Sequence, residues 1–401
     1  MTQTSSSMSK PKAILFIHHS NDLYGADIML LETIRGLDRS LFAPMVVLPE
    51  DCRSEGGLAA ELEKASIPYR FLPLGIIRRR YFKLGNVMRY IWELTGAVTA
   101  LRKMIREENV ALIHSNTLAV CAGAFAARLA GVKHVWHIHE MLVKPKPVRK
   151  ALHYLAPRMS CTVVCISEAV RQHVLVDEPR SAAKLIRIYN GLLLENFVAS
   201  GSGQAIRDEF GVSASAPFVG MIGRVNQWKG QAVFARAARI LLDKFPDAYF
   251  ISVGSVFSDE FHHLDALKAE LEQLRIAERF ILAPFRRDVA SLLTALDVYV
   301  HPSILPEPFG LVVLEAMAAG RPVVATAHGG PLEMIEDGVS GYLVEPGNAE
   351  ALANGVERVL IDRNRGRSMG HEAKERAFRM FHVNRYVSEM QAVYKNALGV
   401  A

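Results

Sequence analysis

Short apolar segments rich in Val and Ile alternate with longer amphipathic or alanine-rich segments, and this alternation occurs in two successive runs. The first run comprises residues 12–19, 45–49, 69–73, 110–114, 134–138 and 162–166. The second comprises residues 217–224, 249–254, 279–283, 297–302, 321–326 and 341–344. Strand–helix alternation is typical of parallel sheets with helices on both faces. The sequence therefore predicts an α/β protein of two doubly wound domains that face each other across a deep interdomain cleft.

The chain has 401 residues, a length that suits two domains of about 150–200 residues each. A glycine- and serine-containing stretch, residues 199–204, separates the two runs and is interpreted as a hinge. We predict a polar, disordered tail over residues 1–10, an N-terminal domain over 11–200 and a C-terminal domain from residue 201 onward.

Charge is unevenly divided between these halves. Residues 1–200 hold 26 Lys and Arg against 17 Asp and Glu, whereas residues 201–401 hold 21 against 24. A basic N-terminal half is typical of a protein that binds an anionic surface or an anionic acceptor. It is also compatible with a solvated surface that has no partner. The cations form no continuous stripe, so nucleic acid is not an expected partner.

The sequence contains no run of about 18 apolar residues, and the early segment "AILFI" is shorter than a signal-peptide core. A cytoplasmic protein is the resulting expectation.

Ligands of doubly wound sheets bind outside the carboxyl ends of the strands, so residues that follow strands are the candidate site residues. After the first strand, Gly25 opens a predicted helix, where glycine permits close approach of a ligand to backbone N–H groups. After the fifth strand, "HVWHIHE" places His137 and His139 on one side of the chain, followed by Glu140. Three interpretations remain open for this motif: a metal site, a satisfied histidine at a strand end, and a histidine that hydrogen-bonds a ligand.

Two cations follow the first strand of the second half, in "GMIGRVNQWKG". Arg224 can bind an anion with two parallel hydrogen bonds, and Lys229 adds a point charge close to the next helix start. This combination predicts a diphosphate clamp. It differs from both the G-x-G-x-x-G dinucleotide motif and the phosphate loop of kinases and ATPases.

The segment "EPFGLVVLEAMAAGRPVVAT", residues 307–326, holds two glutamates eight positions apart. The prolines at 306 and 308 keep Glu307 in a loop, and Gly310 precedes a predicted helix over 311–319. The first N–H groups of that helix, near Leu311, attract an anion. Glu315, about one turn inside, can accept two hydrogen bonds from a vicinal diol such as a ribose. We therefore expect one ligand with Glu315 at its nucleotide end, its diphosphate at the helix start and Glu307 at its other end.

Together these motifs resemble retaining glycosyltransferase family 4, the group 1 glycosyltransferases, whose members have the GT-B fold of two Rossmann-like domains. The resemblance rests on "GRVNQWKG", "LDVYVHPS", "EPFGLVVLE" (the Glu-x7-Glu motif of the family) and "GGPLEMIEDGVSGYLVEPGN". Segments "ISEAV" and "YNGLLLENF" resemble its interdomain segments, "YGAD" its donor loop and "HIHE" its strand-end His-Asp. The final segment, "RYVSEMQAVYKNAL", resembles a closing helix that crosses back to the first domain, which limits the C-terminal domain to 201–380 and assigns 381–401 to that helix.

The resemblance implies metal-independent transfer of a sugar from a nucleotide sugar, such as a UDP- or GDP-sugar, with retention of anomeric configuration and without a cofactor. By resemblance, Arg224 and Lys229 hold the diphosphate, Glu315 binds the ribose, and Glu307 and His139 serve the donor sugar as the catalytic residues. The same resemblance assigns donor contacts to Gly25, to the backbone near Phe309, Gly310 and Leu311, and to that near Phe285, where the base binds.

The acceptor is expected to bind the first domain, where "GIIRRRYFKLGNVMRYIW" (75–92) and "KPKPVRKALHY" (144–154) mix cations with aromatic and aliphatic residues. Such segments suit the inner face of an anionic membrane and a glycan or lipid-linked acceptor. Two alternatives share the nucleotide pocket: an epimerase or hydrolase of nucleotide sugars, and a non-catalytic protein that binds them. The residues identify neither the donor sugar nor the acceptor.

Overall fold

The computed structural model describes residues 10–54, 56–78, 86–198, 203–256 and 260–400 of the chain. These residues form two compact units. The first extends to Leu192 and includes the C-terminal residues from Val383 onward, and the second spans Leu193–His382. The unit boundary thus falls eight residues before the expected boundary at 200/201. The predicted tail at 1–10 and the predicted hinge at 199–204 lie largely outside the described residues.

A seven-stranded sheet forms the centre of the first unit. Its strands, in chain order, are β1 (Lys12–Ile17), β2 (Phe42–Pro49), β3 (Tyr69–Leu72), β4 (Val110–Asn116), β5 (Lys133–Ile138), β6 (Thr162–Cys165) and β7 (Leu185–Arg187). They lie side by side in the order β3-β2-β1-β4-β5-β6-β7, and every pairing is parallel. The fully buried residues of β1, Ile14 to Ile17, explain why this strand lies near the centre.

Helices connect these strands: α1 (Gly25–Arg35), α2 (Gly57–Lys64), α3 (Val87–Glu107), α4 (Cys121–Ala130), α5 (Lys146–Met159) and α6 (Glu168–Asp177). One face of α3 packs on the sheet through Ala97, Leu101 and Met104, which recur at helical spacing. The sequence predicted six of the seven strands. It missed β7, because a three-residue edge strand with a single buried side chain has too short an alternation to be recognised.

The last helix, α15 (Val383–Leu398), belongs to the first unit. Its Tyr386 hydroxyl lies 2.6 Å from Thr33 Oγ1 of α1, and its Tyr394 hydroxyl lies 2.9 Å from His114 Nδ1 of β4. Both tyrosines are buried, so their hydroxyls need these partners to offset the loss of water.

The second unit is built on a six-stranded parallel sheet. Its strands are β8 (Phe218–Ile222), β9 (Tyr249–Val253), β10 (Phe280–Ala283), β11 (Val298–His301), β12 (Val323–Thr326) and β13 (Tyr342–Val344). Their order is β10-β9-β8-β11-β12-β13. The helices are α7 (Gln204–Glu209), α8 (Gln231–Leu242), α9 (Phe261–Gln273), α10 (Val289–Ala295), α11 (Leu311–Ala318), α12 (Pro331–Met334), α13 (Ala349–Ile361) and α14 (Arg363–Phe381). Side chains of α8, α13 and the sheet share one buried apolar cluster.

Both sheets therefore confirm the predicted class of doubly wound, Rossmann-like units. In each, the strand order reverses at one point, between β1 and β4 in the first unit and between β8 and β11 in the second. Loops leave these neighbouring strands in opposite directions and open a crevice at the carboxyl edge, which is where ligands of such sheets bind. The predicted site residues are therefore expected to lie at these two reversal points.

Candidate functional site

Two loops of the second unit, the one after β8 and the one after β11, are fastened to each other. The Ile304 N–H donates to the Trp228 carbonyl at 2.9 Å. Gly230 has a φ of +84°, and a Cβ there would lie 1.9 Å from the Pro302 carbonyl oxygen, so only glycine allows this approach. The side chain of Asn226 accepts the backbone N–H of Lys229 at 2.9 Å and completes the turn. As a result, Lys229 points toward the loop that carries Glu307.

Lys229 and Glu307 form an ion pair in which Nζ lies 2.5 Å from Oε2. The two side chains are only 17% and 12% exposed. Two further groups face the same carboxylate oxygen: His301 Nε2 and Ser303 Oγ, each at 3.4 Å. Lys229, which the resemblance assigns to the diphosphate, thus contacts Glu307, which the resemblance assigns to the donor sugar.

This environment keeps Glu307 ionised. Burial acts to raise the pKa of its carboxyl, but the Lys229 charge and the His301 hydrogen bond outweigh burial and hold that pKa well below its ordinary value of 4.5. A carboxylate of such low basicity is a poor acceptor for a proton at neutral pH. The geometry therefore favours an electrostatic or hydrogen-bonding role for Glu307 over acid–base work.

The start of α11 is shaped by Gly310, whose φ of +98° favours glycine and which precedes the first helical residue, Leu311. The chain before it is held from behind, because the Gly330 N–H donates to the Glu307 carbonyl at 2.8 Å. Phe309 is buried against Phe381, with ring centroids 5.8 Å apart. The predicted loop, glycine and helix start are thus all observed, with α11 ending at Ala318.

Glu315 lies one turn inside α11 and is partly buried. Among the described residues, no group hydrogen-bonds its carboxylate, and burial raises its pKa to about 7. Glu315 and Glu307 both act on one buried hydroxyl, since their negative charges, after burial itself, raise the pKa of Tyr299 well above its ordinary value. The two glutamates are therefore neighbours with different surroundings: one is paired and the other is not.

An unpaired, partly buried carboxylate should lower stability, and replacing Glu315 with glutamine should reveal the cost. The raised pKa means that the cost is absent below about pH 4.5, grows as the pH rises toward 7 and is complete above 7. We expect the variant to be about 1–3 kcal/mol more stable than wild type at pH 8, after allowance for partial exposure, and to show only a small part of that gain at pH 5. Chemical unfolding at both pH values measures this. An equal gain at both would contradict the assigned cause.

The remaining candidates of the second unit each follow a strand of its sheet. Arg224 follows β8 and is partly buried, with its carbonyl accepting Gln231 Nε2 at 3.0 Å. Phe285 follows the edge strand β10 and is 60% exposed. The neighbouring Arg286 side chain is held by Glu209 and Asp288, so a base at this position would contact the backbone or the phenyl ring.

In the first unit, the structure brings Gly25 and His139 to the same edge of the sheet. Gly25 is the first residue of α1, and His139 follows β5. Asn116, at the end of β4, connects them: its Nδ2 donates to the Ala26 carbonyl at 3.1 Å, and its Oδ1 lies 2.9 Å from His139 Nε2. Burial, followed by the charge of neighbouring histidines, holds the pKa of His139 well below its ordinary value, so the ring is neutral.

Glu140 fastens loops together. Its carboxylate accepts the backbone N–H of Leu118 at 2.6 Å and that of His139 at 3.0 Å, which joins the loop after β4 to the loop after β5. Burial raises the pKa of this carboxyl to about 7 in spite of these bonds. The loop after β4 also contains Thr117 at a φ of +91°, a strained conformation for a β-branched residue. Strained backbone conformations of this kind cluster at functional sites, and this one lies at the carboxyl edge of the first sheet.

His137, considered as a metal ligand together with His139, is buried, and its ring lies 4.1 Å from that of His139. Across the described parts of the chain, no group of three or more His, Cys, Asp or Glu side chains is arranged to hold a metal ion. Within those same residues, no helix combines the length and apolar character needed to cross a membrane.

Sequence reasoning missed four polar residues that the structure places at the two edges: His18, Asn116, His301 and Ser303. Each stands at or just after the end of a strand next to a reversal point, which is a signal available from the sequence. What the sequence does not show is which of these side chains turn toward one another.

Two family models together match most of the chain. Residues 203–376 match the glycosyl transferases group 1, and residues 24–196 match glycosyltransferase family 4. Among curated relatives, an uncharacterized glycosyltransferase of Methanocaldococcus jannaschii is 28% identical over 85% of this chain and 80% of its own length. The UDP-Gal:α-D-GlcNAc-diphosphoundecaprenol α-1,3-galactosyltransferase of Escherichia coli is 24% identical over 84% of this chain and 88% of its own.

Among solved structures, HepE of Anabaena in complex with UDP-glucose is 27% identical, with a TM-score of 0.82 over 96% of this chain and 99% of that one. A glycosyltransferase of Rickettsia africae, 21% identical, has a TM-score of 0.83 over 98% of this chain and 100% of that one, which shows a shared fold.

Proposed function

The chain belongs to the group 1 glycosyltransferases of the GT-B fold, and from that premise we propose that it transfers a sugar from a nucleoside-diphosphate sugar to a glycan or lipid-linked acceptor with retention of anomeric configuration. The observation that carries the proposal is the arrangement around α11. A partly buried Lys229–Glu307 pair stands beside the helix start, and the unpartnered carboxylate of Glu315 stands one turn further on.

Each part of this arrangement suits one part of a nucleotide sugar. A diphosphate accepts hydrogen bonds from helix N–H groups and from Lys229 and Arg224. A ribose offers two hydroxyl donors, which an unpartnered carboxylate can accept. The complex of HepE with UDP-glucose supports a UDP-sugar as the donor, and a GDP-sugar is the alternative that binding measurements would separate.

In the proposed reaction, the bond between the anomeric carbon and the diphosphate oxygen breaks while negative charge grows on the leaving diphosphate. Lys229, Arg224 and the start of α11 stabilise that charge. The acceptor hydroxyl forms the new bond from the same face of the sugar, and its proton goes to the departing phosphate oxygen. His139 hydrogen-bonds the transferred sugar. The alternative, in which a carboxylate attacks the opposite face as in retaining glycosidases, would place a glycosyl adduct on Glu307.

A transfer assay with UDP- and GDP-sugars tests this function. The donor that binds is found first by thermal shift, because a ligand raises stability by mass action. It is then incubated with acceptor extracts, and the anomeric configuration of the product is read by NMR. Retained configuration is expected, with slow leakage to free sugar when no acceptor is present. Rapid, complete turnover of donor alone would identify an epimerase or hydrolase, and a glycosyl adduct on Glu307 would overturn same-face attack.

The acceptor side is proposed from an exposed apolar face on α3. Met88, Ile91 and Trp92 follow one another at helical spacing, and Met88 and Trp92 are 72% and 78% exposed. Part of the basic segment predicted here, residues 79–85, lies outside the described residues. The second segment, 144–154, keeps exposed lysines on α5, whereas its Arg149 is bound to Asp177. An apolar face with cations suits an anionic bilayer, and the E. coli relative acts on a diphosphoundecaprenol-linked sugar.

Serine at both Met88 and Trp92 should weaken binding to vesicles that contain anionic lipid about tenfold, because two apolar side chains no longer enter the interface. Co-sedimentation with vesicles of graded anionic content measures the effect. The matched control is Val176→Ser on α6, an apolar residue of the same unit that is also 78% exposed. Equal loss in the control, or binding that ignores lipid charge, would refute membrane contact through this face.

A further inference from the structure

Three buried polar residues at the carboxyl edge of the first sheet form a continuous hydrogen-bonded chain that ends at the partly buried His139. The chain starts at Asp27 on α1, continues through His18 at the end of β1 and Asn116 at the end of β4, and reaches His139 after β5. Asp27, His18 and Asn116 are each no more than 2% exposed. None of the three is part of the nucleotide site of the second unit, and the function proposed above gives them no role.

The direction of every hydrogen bond in this chain is determined by one backbone carbonyl. The carbonyl of Ala26 can only accept, so the atom of Asn116 that faces it at 3.1 Å is the amide nitrogen. That nitrogen also faces His18 Nδ1 at 3.0 Å, which must therefore accept. His18 then carries its proton on Nε2 and donates it to Asp27 Oδ1 at 2.8 Å.

The other end of Asn116 determines the state of His139. With the amide nitrogen assigned, Oδ1 is the acceptor, so His139 Nε2, 2.9 Å away, carries a proton and donates it. His114 supports the same orientation, because Tyr394 approaches its Nδ1 at 2.9 Å and leaves its Nε2 to donate to Asn116 Oδ1 at 3.4 Å. A neutral imidazole has one N–H, so His139 Nδ1 is left with a lone pair.

Asp27 holds the start of the chain in place. Its Oδ1 also accepts the Ser20 hydroxyl at 2.7 Å, and its Oδ2 accepts the Tyr24 N–H at 3.0 Å. Burial acts to raise the pKa of Asp27, but the hydrogen bonds from His18 and Ser20 outweigh burial and lower that pKa to about 2. The carboxylate is therefore a permanent acceptor at neutral pH.

We propose that Asp27, His18 and Asn116 are positioning residues that fix His139 as the Nε2–H tautomer, so that its Nδ1 accepts a hydrogen bond from a substrate hydroxyl. Among the described residues, no group hydrogen-bonds that nitrogen. A lone pair at this place suits a hydroxyl and repels a phosphate or carboxylate oxygen. The inference rests on the proposed function for the identity of the hydroxyl, a sugar hydroxyl, but the tautomer itself does not depend on that function.

The first test reads the tautomer directly. The full chain, labelled with ¹⁵N-histidine and free of ligand, is examined by long-range ¹H–¹⁵N NMR at pH 7, and the His139 signals are assigned by their loss in His139→Gln. A protonated Nε2 with a bare Nδ1 is expected. A protonated Nδ1 or a doubly protonated ring would overturn the proposal. If NMR finds the expected tautomer but the transfer assay finds no sugar transfer, the proposed function is wrong, whereas the positioning role of Asp27, His18 and Asn116 is supported.

The second test disrupts the hydrogen-bonded chain at its first residue, with the substitution Asp27→Asn. The new amide can accept from only one of Tyr24 N–H and His18 Nε2–H. When its oxygen faces Tyr24, its NH2 group faces His18 Nε2, and the His18 proton must then move to Nδ1, opposite the Asn116 amide nitrogen. We expect a mixed tautomer at His139 and a loss of about tenfold in kcat/KM, the value of one hydrogen bond. In a His139→Ala background the same change should cost less than twofold, because its effect passes through His139.

Losses that simply add in the double variant would refute a positioning role. His134→Gln is the matched control: His134 is equally buried on β5 but bonds Ser160 and Ser115, outside the chain. It should lower stability without altering the His139 tautomer. Asp27→Glu, which keeps a carboxylate, should restore part of the activity. If Asp27→Asn does not fold, the wild-type NMR measurement still decides the proposal.

Discussion

Replacing Lys229 with methionine should reduce kcat for sugar transfer about 10²–10³-fold, the cost of removing one preorganised group that meets growing negative charge. Methionine keeps the length and packing of the stem, so the loop held by Asn226 should persist. The change also removes the charge that opposes burial at Glu307. The pKa of that carboxyl should therefore rise, and the residual kcat at saturating donor should fall further as the pH is lowered, a dependence that the kcat of wild type lacks in the same range.

Steady-state kinetics from pH 5.5 to 8.5 measure both effects. Lys244→Met is the control, because Lys244 forms an ion pair of similar length, 2.6 Å, with Glu357 in the same unit but at an exposed position. The control should stay within a factor of about two of wild type, since exposed pairs contribute little. Activity within threefold of wild type in Lys229→Met would remove Lys229 from the diphosphate site.

Glutamine at Glu315 should weaken binding of the nucleotide about 10–100-fold at pH 8, because hydrogen bonds to a charged acceptor contribute about 1.5–3 kcal/mol. The raised pKa of about 7 adds a pH dependence in wild type. Above pH 7 the Glu315 carboxylate is ionised and can accept hydrogen bonds from the two hydroxyls of the ribose. Below it, binding must first expel a proton, so Kd should rise about tenfold for each pH unit.

Isothermal titration with UDP and GDP at pH 6 and 8 provides the readout. The Glu315→Gln variant should bind with the same Kd at both pH values, since its amide does not titrate. Glu357→Gln, at the exposed pair with Lys244, should retain both the affinity and the pH dependence of wild type. A wild-type Kd that is flat from pH 6 to 8 would place the ribose elsewhere. If Glu315→Gln loses nucleotide binding and also gains stability, both as expected, then Glu315 is a residue kept for binding at a cost to folding.

Most of the fold followed from periodicity. Alternation of apolar and helical segments predicted twelve strands in two runs, and all twelve are present. The exceptions are instructive, because both depend on contacts distant in sequence. Strand β7 is defined by its pairing with β6, and at the end of the first unit the Leu192 carbonyl accepts the N–H of Val383, the first residue of the returning helix α15. Neither leaves a pattern within its own few residues.

The sequence predicted the local structure around the candidate residues of the second unit, but it did not show which of these residues contact one another. The prolines and Gly310 predicted that Glu307 lies in a loop before a helix, which the structure confirms. Separate roles for Lys229 and Glu307 did not suggest that the two are 2.5 Å apart. Their contact depends on the fastening of the loops at Gly230 and Pro302, residues 72 positions apart in the sequence.

The sequence by itself determined the two doubly wound units, the family and the strand-end positions of the candidate residues, because periodicity and short motifs are local properties of a chain. The tertiary structure decided which of those residues share an environment. It paired Glu307 and left Glu315 unpaired, so that two similar carboxyls acquired opposite pKa shifts. It also joined Asp27, His18 and Asn116 to His139 from four separate elements. Protonation states depend on burial and on neighbours within a few ångströms, and folding alone brings those neighbours together.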